Sequence, residues 1–115
     1  DIDRALTVRE LGKLGGKALD GPMQEEFGRN FRSPGHVPLL RAIDGLLGKR
    51  RGHTELAVTL AELAGVTPVV AICEMLDSKT GKALSFDDAS NYASERGLVC
   101  LRGDEIAQAY QGRRR

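Results

Sequence analysis

Three features of the sequence predict an α/β fold, part of a layered α/β domain with a mixed or parallel sheet covered by helices. From residue 37 onward the pattern reads strand, helix, strand, helix, strand, helix, and such alternation builds a parallel or mixed sheet. The run Val69-Val70-Ala71-Ile72-Cys73 is apolar on both faces, the pattern of a strand covered on both sides. Leu56, Leu60 and Leu63 recur at helical spacing with Ala57, Ala61 and Ala64 beside them, the stripe of an amphipathic helix.

The elements follow in order. Residues 4–14 read as a helix through Leu6, Leu11 and Leu14, with Asp3 as its N-cap and Gly15-Gly16 as its stop. Asp20-Gly21-Pro22 starts a short helix with Met23 and Phe27 on one face, closed by Gly28. Residues 29–36 are loop chemistry. Residues 37–42 read as a short strand, with Pro38 near its start where a strand tolerates it. Asp44-Gly45 turns the chain into a basic, glycine-flanked loop over residues 48–52. The leucine-striped helix ends at Gly65, a residue suited to the position after a helix. After the buried strand, residues 77–82 form a turn. Ser85 and Asp88 match a capping box for a helix running to Arg96, with Gly97 as its stop. Residues 98–101 read as a strand. Gly103-Asp104 opens a last helix carrying Ile106, Ala109 and Tyr110.

Composition bounds the function. The 115 residues are enough for one small domain. The 41% apolar share argues against disorder, and the 4% aromatic share with no Trp demands an aliphatic core. Seventeen Lys and Arg against 16 Asp and Glu give a net charge of +1, so no global field draws nucleic acid or an anionic membrane. The basic run Arg113-Arg114-Arg115 reads as a solvated tail. Cys73 and Cys100 form no C-x-x-C motif and sit in apolar runs, so both are expected buried and reduced, as in a cytoplasm. No apolar stretch approaches the ~20 residues that span a bilayer, and no signal-peptide pattern is present. The chain opens at Asp1, without Met and already in a helical pattern, which suggests a fragment or a cleaved product.

Chemistry concentrates in three places. Lys49, Arg50 and Arg51 precede Gly52, and His53 and Thr54 then open a helix. A helix start offers free N–H groups and partial positive charge, glycine admits an anion close to the backbone, and arginine grips phosphate through paired hydrogen bonds. An ordinary capped helix after a basic loop fits the same residues equally well. Glu74 follows the most apolar strand, where a carboxylate must be paired, metal-bound or protonated, and ligands in such folds gather beyond strand ends. The plainer alternative is a strand that has already emerged into solvent. The histidines, His36 after Ser-Pro-Gly and His53 after Gly, both lie off apolar stripes. As a pair they are a weak metal signal, with no H-E-x-x-H and no cysteine cluster beside them. The glycines from Gly12 to Gly16 do not make a P-loop, because Leu11 stands where glycine is required and Ala18 where Ser or Thr is.

Taken in order, these segments resemble one enzyme family. Phe31-Arg32-Ser33-Pro34-Gly35-His36-Val37 looks like the Arg-x-Pro-Gly-His loop of 3,4-dihydroxy-2-butanone 4-phosphate synthases, in a form most like archaeal members. Arg50-Arg51-Gly52-His53-Thr54-Glu55 looks like their Arg-x-Gly-His-Thr-Glu signature, continued by Leu63-Ala64-Gly65 and Ile72-Cys73-Glu74. Asp3-Arg4-Ala5 resembles the segment that opens the C-terminal half of the same enzymes.

The resemblance implies a lyase of riboflavin biosynthesis that converts D-ribulose 5-phosphate to formate and 3,4-dihydroxy-2-butanone 4-phosphate with Mg²⁺ or Mn²⁺. It implies that residues 1–115 are the C-terminal portion of a single synthase domain. Carried over residue by residue, it makes His36 and Glu74 the catalytic acid/base pair. Arg50, Arg51, Gly52, His53 and Thr54 then bind substrate, and His53 also binds metal. The partners it implies are a sugar phosphate, the N-terminal half of the same enzyme and a second subunit of a cytoplasmic homodimer, with neither nucleic acid nor membrane. The family's N-terminal acidic loop, roughly Arg-Glu-x-Glu-x-Asp, has no counterpart in this sequence. A lone His53 is too few ligands for a hard cation, so the 115 residues are expected to be inactive alone. A non-catalytic phosphate-binding or assembly module of the same origin is the runner-up, and an unrelated anion-binding domain the third reading.

Overall fold

The computed structural model describes residues 1–113. It contains five α-helices: α1 (Ile2–Ala18), α2 (Gln24–Asn30), α3 (His53–Leu63), α4 (Phe86–Glu95) and α5 (Gly103–Arg113). One turn of 3-10 helix, Leu46–Gly48, precedes α3.

The expected layered α/β architecture is not what forms. No sheet is present among the described residues, and β pairing there is limited to an isolated antiparallel bridge between Leu76 and Ala83. Residues 37–42, 69–73 and 98–101 are irregular and mostly exposed, Val70 at 44%, Ile72 at 47% and Val99 at 85%. The reason is that a strand's hydrogen bonds lie on another strand. An apolar run records a covered environment without supplying the cover, and these three segments do not pair with one another. Cys73 and Cys100, expected buried inside two of them, are exposed and free.

Most local elements follow the sequence closely, but α2 starts at Gln24 and runs through Gly28, its expected stop, to Asn30. Helix α3 ends in a Schellman arrangement: the Gly65 amide donates to Glu62 and the Val66 amide to Ala61, with Gly65 at φ 69°. Helix α4 ends in the same way through Gly97 and Leu98. Its start carries the expected Ser85 cap, whose Oγ accepts from the Asp88 amide and also donates to the Asp88 carboxylate at 2.6 Å. The turn at residues 77–82 closes where expected: the Asp77 carboxylate accepts from the Lys79 amide and the Thr80 hydroxyl.

Helix α1 departs from expectation. Its N-cap is Asp1, and it runs through Gly15 and Gly16 to Ala18. A Cβ at Gly15 would overlap Val69 Cγ2, so the glycine lets residues 67–69 lie directly on the helix.

The core is small. Leu47, Ile106 and Ala107 form it, with Leu56, Leu63 and Tyr110 packed against them. It therefore sits where α3, α5 and the 3-10 turn meet. Leu60, expected on the buried stripe, is exposed, while Glu55, Thr59 and Ala61 are the buried positions of α3. Gly103 permits the close approach of α5, since a Cβ there would sit 3.3 Å from Leu56 Cδ1. Arg113 is not a solvated tail residue: its Nη1 donates to the Glu62 carbonyl at 2.6 Å and ties the end of α5 to the end of α3. Arg114 and Arg115 lie outside the described residues. The radius of gyration is 16.3 Å, whereas a compact chain of this length has about 13 Å.

Hydrogen exchange tests this arrangement. The slowest amides are expected in α3 and α5, with coil-like exchange over residues 69–73 and 98–101. Strong protection in those two runs would show a sheet and contradict the fold described.

Candidate functional site at the start of helix α3

Residues 43–55 build the best-ordered polar constellation. Gly45 takes φ 93° and turns the chain so that Leu47 enters the core. The Arg50 amide then donates to the Leu46 carbonyl, closing the loop ahead of α3. Gly52, in extended conformation, is the N-cap residue and offers no side chain to cap the helix. The amides of His53 and Thr54 have no hydrogen-bond partner among the described residues. Thr54 makes no capping hydrogen bond either.

Glu55 holds the loop together. It stands at the third helical position, where a glutamate usually reaches back to the N-cap amide. Here its carboxylate is diverted. Oε1 accepts from the Ile43 amide at 3.2 Å, and Oε2 accepts from Arg50 Nη1 at 2.7 Å. The side chain is 1% exposed, while that of Arg50 is 61% exposed. Burial pushes the Glu55 carboxyl upward. The Ile43 amide, the residue's own amide and the Arg50 guanidinium outweigh that and hold it below its ordinary value. One turn further, the Thr59 hydroxyl is buried with no partner among the described residues. Sequence reasoning placed Glu55 in a motif but gave it no role; its place three residues after the N-cap was the available signal.

The structure gathers some expected site residues and leaves others apart. Arg50, Arg51, Gly52, His53 and Thr54 share the helix start, with Arg50, Arg51 and His53 exposed. His36 lies instead in a groove with Asp3, Arg4, Phe27, Phe31 and Arg32, which brings together two segments far apart in sequence. Glu74 is exposed on the irregular run after residue 73, so it does not mark the end of a buried strand. No hydrogen bond or ion pair joins His36, His53 and Glu74. Among the described residues no group of three or more His, Cys, Asp or Glu could hold a metal ion, and no helix is long and apolar enough to cross a membrane.

Fold and site together define a class: a helical unit with an exposed cationic loop ahead of a helix start whose first amides are free. Comparison with known proteins gives the family. The model of 3,4-dihydroxy-2-butanone 4-phosphate synthase matches residues 1–109, and the chain belongs to that family. The synthase of Methanosarcina acetivorans is 51% identical over 96% of this chain and 44% of its own length. A Mycobacterium marinum protein named riboflavin biosynthesis protein RibBA is 40% identical over 98% of this chain and 24% of its own. A crystal structure of the Candida albicans synthase superposes with a TM-score of 0.64 at 39% identity, covering 70% of this chain and 41% of that one. The chain thus spans less than half the length of these relatives.

The Glu55 cluster sets a pH dependence. A carboxyl held low in the folded state contributes stability that is present above its unfolded value and is lost as pH falls through the folded one. Thermal melts of wild type and Glu55→Gln are therefore expected to differ most near neutral pH and to converge below about pH 4.5, the carboxyl's ordinary value. A gap that stays constant down to pH 3 would assign the Glu55 contribution to packing rather than charge.

Proposed function

We propose that this chain is the C-terminal part of a lyase that converts D-ribulose 5-phosphate to 3,4-dihydroxy-2-butanone 4-phosphate and formate, in riboflavin biosynthesis. The observation that carries the reading is the order of the motifs across a family match that spans nearly the whole chain. The Arg50–Thr54 segment receives the sugar phosphate, with the free His53 and Thr54 amides and the cations Arg50 and Arg51 facing the anion. The reaction starts by enolising a hydroxyketone, which needs a base at carbon and an acid at oxygen; Glu74 and His36 take these parts. Both stand on exposed segments, so their meeting requires the longer enzyme, in which an N-terminal half carries the acidic loop and a second subunit completes a cytoplasmic homodimer.

Mg²⁺ or Mn²⁺ is the cofactor this reading implies, with His53 as one ligand. The residues present do not fit a hard divalent cation by themselves, since no acidic cluster surrounds His53. The same absence favours a second reading, a non-catalytic phosphate-binding or assembly module of the same origin.

Formate release from ribulose 5-phosphate with Mg²⁺ separates the two. The 115 residues alone are expected to give no turnover, and a chain that also contains the acidic-loop half is expected to give it. In that longer chain Glu74→Gln should lower turnover at least ~10²-fold with little loss of substrate binding. Near-normal turnover in Glu74→Gln would leave Glu74 without a catalytic part. No turnover in the longer chain would favour the binding module.

A further inference from the structure

We propose that Glu55 is a positioning residue for anion binding: its buried carboxylate aims the Arg50 guanidinium and fixes the 43–50 loop against the start of α3. The proposal deepens the phosphate-binding reading of residues 50–54 and rests on it. Geometry carries it. Glu55 grips Arg50 by Nη1 alone. Nε and Nη2, which have no partner among the described residues, form one edge of the planar fork, and two parallel N–H donors on such an edge suit a phosphate. The other carboxylate oxygen holds the Ile43 amide, so one side chain fixes both ends of the loop that delivers Arg50.

Gly52 belongs to the same device. A Cβ there would lie 2.7 Å from Arg50 Nη1 and 2.7 Å from Glu55 Oε2, so any other residue would wedge the pair apart. Glycine at this position therefore preserves the clamp, besides opening the backbone to a ligand.

Two effects of Glu55 on a bound anion have opposite signs. Its negative charge repels phosphate, so removing the charge should tighten binding. Its grip on Arg50 removes rotamer freedom before the ligand arrives, so removing the grip should weaken binding. A positioning role requires the second effect to win, and to vanish when Arg50 is absent.

The test titrates inorganic phosphate into the 115-residue chain at low salt and follows the Gly52, His53 and Thr54 amide signals. Glu55→Gln is expected to weaken binding roughly threefold or more, the scale of freeing part of an arginine's side-chain entropy. Gly52→Ala should weaken it similarly with Glu55 intact. In an Arg50→Ala background, Glu55→Gln should have no effect or should tighten binding slightly, the non-additivity of a coupled pair. Helix content by circular dichroism identifies any variant that fails to fold; should Glu55→Gln fail, Gly52→Ala with and without Arg50→Ala makes the same comparison. Equal or tighter binding by Glu55→Gln with Arg50 present, or an equal loss with and without Arg50, overturns the positioning role alone. A wild-type chain whose Gly52–Thr54 signals do not move overturns the phosphate reading and the proposal with it.

Discussion

The organisation of residues 43–55 depends on one buried carboxylate. Glu55 is removed from water, and an uncompensated charge in that position would be costly. It is compensated by one backbone amide and one guanidinium, from two different points of the preceding loop. The start of α3 adds the favourable end of the helix dipole. Because both partners lie in the loop, satisfying the charge folds residues 43–50 against α3. That placement sends Leu47 into the core beside Ile106 and Ala107. A comparison within the chain makes the diversion plain. At α5 the glutamate in the equivalent place, Glu105, does what such residues ordinarily do and accepts from the Arg102 amide at 2.6 Å. Helix α3 leaves its first amides uncapped because Gly52 has no side chain to reach them, and its glutamate is engaged elsewhere.

Local features were legible in the sequence because their causes are local. Gly65 and Gly97 end helices through backbone conformations that side chains resist, and Ser85 caps α4 through a residue three positions away. The expected sheet, which does not form among the described residues, rested on no such local cause. The run from Val69 to Cys73 has the composition of a doubly covered strand, yet nothing local determines what covers it. The error at Leu60 has a related origin. The leucine spacing defines a stripe, but which part of it is buried depends on where α5 and the 3-10 turn dock. Leu56 and Leu63 pack against the core of Leu47, Ile106 and Ala107, while Leu60 is turned away from it. Gly15 and Gly16 misled for the opposite reason: their value is the close approach of residues 67–69, a tertiary cause that looks like a helix stop in one dimension.

The candidate site divides along the same line. Lys49 to Thr54 could be read as an anion-receiving segment because a basic loop, a glycine and a helix start are contiguous. His36 was singled out by its place in a loop off the apolar stripes and Glu74 by its place after an apolar run, before either was matched to a motif, and the structure gives them different surroundings. The groove around His36 draws on Asp3 and Arg4 of α1 and on the 31–36 loop, so two separate motif segments meet there. The role of Glu55 stayed hidden because its partners, Ile43 and Arg50, are an unremarkable backbone amide and one arginine among several. Only their convergence on one buried side chain distinguishes them.

The position of Glu74 follows from what supports its segment. Upstream, Val69 rests on Gly15 of α1. Downstream, the Leu84 amide donates to Met75 and the Asp77 amide to Lys82, closing the turn around the 76–83 bridge. Between these anchors, residues 70–74 have exposed side chains and no ladder. The backbone through this stretch is therefore set by its two ends and not by neighbours along its length. A general base must be held within hydrogen-bond reach of the proton it removes, which an unsupported span does not ensure. The Arg50–Thr54 loop is held from within by Glu55. The two segments thus differ in their support: Arg50–Thr54 is organised by residues of this chain, and residues 70–74 have no such internal anchor among the described residues.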